Sequence, residues 1–335
     1  VIEIIAEIGV NHDGSLAKAR QLVTVARDCG ADWAKFQTFK AAQLATDTAP
    51  TAAYQRVHHA GPQQTMLSRL ELGEDAFREL RAFCREVGIS FLSTPFDPGS
   101  LEFLLSLGLA TVKVGSGELT NLPLLERLGA AGVRVILSTG MSTLGEVERA
   151  IRALQDAGCR ELVLLHCVTQ YPTPIDQVNL RAMATLRSAF GLPVGYSDHT
   201  PGIEVAVAAA ALGAVVIEKH LTLDPTAPGP DHAASSAPAE FAALVRAIRN
   251  VEAALGDGVK RPAACELPNR VVARKSLVAA RDLAAGAVIA AGDLVVKRPG
   301  GGIAPRHRDR VIGLRLARAV ARDTVLSWDD FRHES

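Results

Sequence analysis

The chain has 335 residues, 48% of them hydrophobic and only 4% aromatic, enough for one large core or for one large domain plus a small one. Its 36 basic and 36 acidic residues cancel, which argues against a nucleic-acid or polyanion binder, since those carry a basic excess. Five scattered cysteines with no C-x-x-C pair, no basic-flanked leader and no apolar run near the ~18–20 residues of a membrane span lead to the expectation of a soluble, reduced, cytoplasmic protein with no nucleic-acid or membrane partner.

Residues 1–256 alternate regularly. Short, β-branched runs at 2–8, 32–38, 90–94, 111–115, 134–139, 161–167, 193–197 and 214–220 read as strands. Between them lie amphipathic stretches such as "SLAKARQLVTVARDCG", "EDAFRELRAFCREVG" and "LGEVERAIRALQDAG", and "AEFAALVRAIRNVEAALG" closes the last unit. Apolar spacing at i, i+3 and i+4, with a glycine at the end, marks surface helices packed on a sheet. Strands that are nearly all apolar imply a parallel sheet covered by helices. Repeated βα units over this length predict a (β/α)₈ TIM barrel; an open, doubly wound sheet would need a break in strand spacing that is not seen.

One connection breaks the rhythm. Residues 40–73, with "YQRVHHAGPQQTM", form a long segment after the second strand, and segments of that length are more often functional or mobile than filler. A lid over the site is one reading of it, with His58 and His59 solvated rather than ligating. At 257–269 a Gly/Pro-punctuated stretch reads as a linker. Beyond it, "KSLVAARDLAAGAVIAAGDL" (275–294) is echoed by "LRLARAVARDTVLSWDDF" (314–331), both reading strand, "ARD", turn, strand. Residues 270–335 are therefore expected to form a small β-rich domain built from a duplicated unit.

Barrel active sites form at the C-terminal ends of the strands. Those ends carry Glu7, Asn11 and His12; Lys35 and Gln37; Thr94; Lys113, Ser116 and Glu118; Ser138; His166, Thr169 and Tyr171; Ser197 and His199; Glu218 and His220. Lys35/Gln37, Ser197/His199 and Glu218/His220 are i, i+2 pairs, so each pair projects to one side, the barrel interior. His199 and His220 end adjacent strands about 4.8 Å apart. Two readings stand for them: they share a divalent metal in an open, octahedral-leaning site of the Mn²⁺ type, or they are strand-end histidines held by hydrogen bonds with no metal. Lys35 and Lys113 in a barrel interior need counter-charge. Either Glu7, Glu118 or Glu218 supplies it, or an anionic substrate does, with Ser116 in "GSGE" and Ser138 in "STG" as donors. His166 and Cys167 lack the surroundings of a nucleophilic pair, and Cys167 reads as a core residue.

The motifs "AEIGVNHDGSL", "AKFQTFK", "FLSTPFD", "KVGSGELTNLPLL", "ILSTGM", "LLHCVTQYPTP", "GYSDHT", "IEKHLT", "PGPDHAAS" and "VKRPGGGIAP", in order along the whole chain, resemble the N-acetylneuraminate (sialic acid) synthase family. Its relatives include legionaminic acid, pseudaminic acid and spore-coat polysaccharide synthases. The resemblance implies a TIM barrel (1–256), a linker (257–269) and an antifreeze-like SAF domain (270–335). It also implies a homodimer whose swapped C-terminal domain caps the partner's site. The implied reaction condenses phosphoenolpyruvate with an open-chain acetamido sugar such as N-acetylmannosamine, giving a sialic-acid-type keto sugar acid and phosphate.

By that resemblance His199 and His220 hold a divalent metal, Mn²⁺ with Mg²⁺ or Co²⁺ as alternatives. Lys35, Thr94, Lys113, Ser116, Ser138, Thr169 and Ser197 surround phosphoenolpyruvate, while Gln37, Glu118, Tyr171 and Asp231 face the sugar. Glu118 either handles a proton or holds a sugar hydroxyl. Arg298, in "KRPG", reaches from the partner to the acetamido group. Thr169 stands where some sialic acid synthases have Asn. Val272 aligns where an aromatic residue can meet the acetyl methyl, which leaves room for a bulkier, legionaminic-type diacetamido sugar. A barrel that has lost catalysis and serves only as a binding partner is the reading from a different class.

Overall fold

Each strand of the barrel is apolar on two faces because one packs against helices and the other against the barrel interior. The computed structural model describes residues 1–52, 56 and 61–332, so His58 and His59 lie outside the described residues. The strands are β1 (Glu3–Gly9), β2 (Trp33–Thr38), β3 (Ser90–Pro95), β4 (Thr111–Val114), β5 (Arg134–Ser138), β6 (Leu162–His166), β7 (Val194–Asp198) and β8 (Val216–His220). All ladders among them are parallel, in the order β3-β2-β1-β8-β7-β6-β5-β4. β8 therefore returns to β1, with His220 opposite Glu7, and β3 and β4 lie side by side to complete the (β/α)₈ barrel.

Helices follow the strands and start and stop where the sequence supplies caps. Ser15, Asp97 and Thr143 accept from backbone N–H groups of the first turns of Leu16–Asp28, Pro98–Ser106 and Leu144–Asp156. Leu144–Asp156 buries Val147, Ala150, Ile151 and Leu154, the i, i+3, i+4, i+7 face that packs on the sheet. Among the described residues no helix is long and apolar enough to cross a membrane.

Strand parity sorts the interior into tiers. At the N-terminal end Arg134 donates to both carboxylate oxygens of Glu3, at 2.9 and 2.5 Å, and Trp33 Nε1 donates to the same carboxylate at 2.9 Å. Above them Ile5, Leu92, Ile136, Val163, Leu165 and Val216 form an apolar plug. Gly195 belongs to this tier: a Cβ there would lie 2.7 Å from Leu165 Cδ2 and 2.3 Å from the Val216 carbonyl oxygen. The third tier, at the C-terminal ends, is polar. It rests on a floor that excludes water from below.

The chain divides into two units, Val1–Gly256 and Asp257–Ser335. Residues 257–269 are exposed, and their end is less irregular than a linker reading implies, since a short helix spans Leu267–Ala273 and carries an exposed Val272. In the second unit β9 (Ser276–Ala279) pairs antiparallel with β10 (Leu294–Lys297). The duplication is present in three dimensions, but the two "ARD" tripeptides are not equivalent. Arg281 bonds Asp293 at 2.8 Å, and Arg318, in the same role, bonds Asp330 at 2.8 Å. The left-handed turn residues Gly286 (φ 80°) and Asp323 (φ 65°) also correspond. The repeat is thus in register as Arg281 with Arg318, whereas matching the tripeptides would set Arg281 against Arg322.

Candidate active site

The third tier opens into a cavity of about 330 Å³ at the C-terminal mouth of the barrel. β2 contributes Lys35 and Gln37, β3 Thr94, and β4 Lys113, with Ser116 and Glu118 on the turn after it. β5 contributes Ser138, and the segment after β6 contributes Thr169 and Tyr171. Ser197 and His199 come from β7 and its exit, His220 from β8, and Asp231 from the loop beyond. Arg298 lies in the second unit, in the loop after β10.

Lys35 is buried in an ion pair with Glu7, lies 3.8 Å from Glu218 and donates to Thr94 Oγ1 at 3.3 Å. Burial pulls its pKa down, but the carboxylates Glu218 and Glu7 outweigh that and hold the ammonium above the ordinary lysine value. Lys113 is less well compensated: it donates to Ser138 Oγ at 2.6 Å and to the Val114 carbonyl at 3.1 Å, and Glu218 lies at 3.9 Å. Burial therefore leaves its pKa lowered. Glu218 resists its own burial because Lys113 and Lys35 flank it and Ser197 Oγ donates to it at 3.0 Å, so it stays below the usual carboxylate range. Glu7, desolvated and facing Glu218, is raised even beside Lys35. Glu118, one of the three expected counter-charges, plays no such part. It accepts from Asn121 Nδ2 at 2.6 Å, and burial raises it.

The two histidines stand edge to face, with ring centroids 5.3 Å apart and planes at 67°, and the Tyr171 ring centroid lies 4.1 Å from that of His199. His199 Nδ1 is 2.7 Å from the Val168 carbonyl. A carbonyl only accepts, so Nδ1 carries the proton and Nε2 keeps its lone pair, with Ser197 Oγ 3.5 Å away as a long contact. Burial keeps both rings neutral; for His220 the positive charges around it add to the effect. His220 Nδ1 is buried without a hydrogen-bond partner, 3.7 Å from Asp231 Oδ2. Two neutral imidazoles with a free lone pair suit a divalent cation. Among the described residues no group of three His, Cys, Asp or Glu side chains converges, so ligand and water oxygens would have to complete any such shell.

Asp231 is set in place by its neighbour. His232 is fully buried between Thr222 Oγ1 at 2.7 Å and Asp13 Oδ1 at 3.1 Å, and Ser235 Oγ donates to the Asp231 carbonyl at 2.6 Å. This ties the loop after β8 to the exit of β1. Burial, then the charge of Glu7, pushes the Asp231 carboxyl up to about 7. On the far side Gly140 N donates to Ser116 Oγ at 3.0 Å, and a Cβ on Gly140 would stand 2.3 Å from Thr169 Oγ1. Only glycine leaves that hydroxyl cradle open.

Sequence reasoning missed three features. Cys167 is buried as expected, yet it also lines the pocket, 3.2 Å from Ser116 Oγ. The segment 40–73, read as a possible lid, does reach the site, but as the helix Gln63–Leu70 in the cavity wall, an element signalled only by the i, i+4 pair Met66 and Leu70. Asp198 and Lys219, flanked by the inward pairs, point outward and form a buried ion pair of 2.7 Å. Parity alone would have revealed it.

A (β/α)₈ barrel with its titratable groups gathered at the C-terminal mouth is built as a barrel enzyme. The chain belongs to the NeuB family, which matches residues 22–260; the SAF domain matches residues 274–332. It is 46% identical to the N,N'-diacetyllegionaminic acid synthase of Legionella pneumophila over 332 residues, covering 97% of this chain and 93% of that protein. Its identity to the N,N'-diacetyllegionaminic acid synthase of Campylobacter jejuni is also 46%, over 327 residues, covering 96% and 98% of the two chains. The crystal structure of N-acetylneuraminic acid (sialic acid) synthetase from Leptospira borgpetersenii, in complex with citrate, matches with a TM-score of 0.71 and 34% identity, covering 80% of this chain and 90% of that one. The protein is thus a member of a family of sialic-acid-type synthases.

Proposed function

We propose that the protein condenses phosphoenolpyruvate with an open-chain acetamido sugar to give a nine-carbon keto sugar acid and inorganic phosphate. The carrying observation is a single pocket in which two buried ammonium groups, a cradle of hydroxyls and two neutral imidazoles meet. Lys35 and Lys113 bind the strongly anionic enol phosphate, and Thr94, Ser116, Ser138, Thr169 and Ser197 offer hydroxyls that fix its orientation. C3 of the enol attacks the aldehyde carbon, the aldehyde oxygen takes a proton, water adds at C2, and phosphate leaves from the tetrahedral carbon. His199 and His220 would hold a divalent cation, Mn²⁺ by its ligand preferences, which when bound polarises the aldehyde oxygen as a Lewis acid. Gln37, Glu118, Tyr171 and Asp231 face the sugar, and Glu118, raised by burial, is also a carboxyl able to carry a proton.

The names of the two relatives at 46% identity favour a diacetamido sugar over N-acetylmannosamine. Mass spectrometry of the product formed from each sugar, with phosphate release followed in parallel, tests the reading. A product that lacks the three added carbons in both cases would sink it.

The swapped homodimer is part of the same proposal, with Arg298 of one subunit offering its planar donor fork to the acetamido oxygen at the other subunit's site. Arg298→Ala is expected to raise the sugar KM about tenfold or more, as loss of a charged hydrogen bond does, with phosphoenolpyruvate binding unchanged. Mixed with His220→Ala protein, it should regain activity by subunit exchange, because each mixed dimer then holds one intact site. No recovery on mixing would place the arginine in its own subunit's site or outside catalysis.

A further inference from the structure

We infer that the helix Gln63–Leu70, with Phe96, is the specificity wall of this pocket, favouring a sugar whose far end carries an N-acyl methyl or a deoxygenated carbon and disfavouring one with a phosphate there. This rests on the condensation proposed above and assigns its selectivity to named side chains. Gln63, Met66, Leu67 and Leu70 all line the cavity. Their spacing is i, i+3, i+4, i+7, one continuous helical face. Met66 and Leu70 are anchored in an apolar cluster with Val10 and Phe39, against which Leu44, Leu67 and Phe96 pack. Phe39 meets Phe96 edge-on at 6.4 Å and holds its ring in place.

Six apolar lining residues, Val10, Leu44, Met66, Leu67, Leu70 and Phe96, cluster at the exits of β1 to β3, while Met141, after β5, stands apart from them. The opposite sector, from β4 to β8, supplies mostly hydroxyl, carboxyl and imidazole groups. A bound molecule is thus met by polar groups at its reacting end and by carbon along one flank.

Charge points the same way. Among the described residues lining the pocket, the lysines and arginines are Lys35 and Lys113 alone, both on the floor and both facing Glu218. Arg69, on the same helix, lines a neighbouring cleft with Asp13 instead. A phosphate ester against Met66, Leu67 and Phe96 would shed water and, among the described residues of that wall, meet no cation and only the Gln63 amide as a side-chain donor, which is costly. A methyl or methylene there gains burial.

The test measures phosphate release from phosphoenolpyruvate with three aldoses: a diacetamido trideoxyhexose, N-acetylmannosamine, and N-acetylmannosamine esterified with phosphate at its terminal hydroxyl. Wild-type kcat/KM should fall in that order, with about tenfold or more between the first two, the discrimination an apolar pocket achieves. Met66→Gln and Leu67→Gln should each narrow that gap by about tenfold, with the KM for phosphoenolpyruvate unchanged. Leu67→Met should preserve the ranking. Leu67 is only partly buried, so its variant carries the test even where Met66→Gln fails to fold. Equal or reversed ranking in the wild type, or an unchanged ratio in Leu67→Gln, overturns the wall. Absence of phosphate release with every aldose overturns the condensation itself and the wall with it.

Discussion

Alanine in place of His199 or His220 should cut kcat by at least about a thousandfold, since several kcal/mol of transition-state charge stabilisation are at stake. The barrel should nonetheless fold. Both rings stand above the apolar plug, at the mouth, and neither belongs to the packed layer between strands and helices. What each variant loses is a neutral, preset lone pair. His199 owes its orientation to the Val168 carbonyl at 2.7 Å; the alanine removes that bond, while Gln170 N at 3.0 Å and Thr173 Oγ1 at 3.3 Å still donate to the carbonyl. A melting temperature within about 5 °C of wild type is expected for loss of one such bond.

Calorimetric titration of Mn²⁺ into chelator-treated protein supplies the second readout. Wild type should bind the ion more tightly with phosphoenolpyruvate present, and the coupling must be reciprocal. Each alanine variant should lose both the binding and the coupling. Full activity in either variant after chelation would falsify the cation reading and return the rings to a purely structural role. Absence of coupling in the wild type would favour a barrel that binds without catalysing.

The barrel was legible in the sequence because its strands and helices obey different periods. Apolar runs ending in polar residues marked all eight strands to within two residues, and glycine marked several helix ends. The inward site residues were legible for the same reason. Lys35 and Gln37, or Ser197 and His199, differ by two positions and so share a face. Less legible was anything that depends on contact between distant segments. The acidic partners of the lysines could be narrowed to three candidates, but only the folded chain separates Glu7 and Glu218 from Glu118, which turns to Asn121. The apolar wall escaped because its helix lies in an irregular connection, where a single turn of apolar spacing is a weak signal. In the second unit, identical "ARD" tripeptides suggested the wrong register, because the equivalent pairs are set by Arg281 with Asp293 and Arg318 with Asp330.

The outward pair Asp198–Lys219 and the inward Lys113 make opposite predictions about two equally buried ammonium groups. Lys219 is fully engaged: its Nζ lies 2.7 Å from Asp198 Oδ2 and 2.7 Å from the Thr200 carbonyl. Asp198 in turn accepts from Thr200 N at 3.0 Å, Thr200 Oγ1 at 2.8 Å and Tyr196 OH at 3.2 Å. Lys219→Met strands that carboxylate away from water. The expected cost is about 3–5 kcal/mol, the penalty for breaking a buried pair, and a melting temperature lower by about 10 °C. Adding Asp198→Asn should recover much of the loss, because an amide tolerates the same surroundings without a counter-charge.

Lys113 is the converse case. Its nearest carboxylate oxygen, on Glu218, is 3.9 Å away and burial already lowers its pKa; Glu218 also keeps Lys35 at 3.8 Å and the Ser197 hydroxyl at 3.0 Å, so the fold depends on the Lys113 charge far less than on that of Lys219. Lys113→Met should leave the melting temperature unchanged or raise it, returning part of the desolvation penalty of a poorly paired ion. It should also weaken phosphoenolpyruvate binding by about a hundredfold, the worth of a charge-assisted contact in a dry site. Thermal melts and ligand titration on the same three proteins decide the matter. If Lys113→Met melts as early as Lys219→Met while binding the ligand normally, Lys113 is a structural ion and the anion site at the barrel mouth has been misassigned.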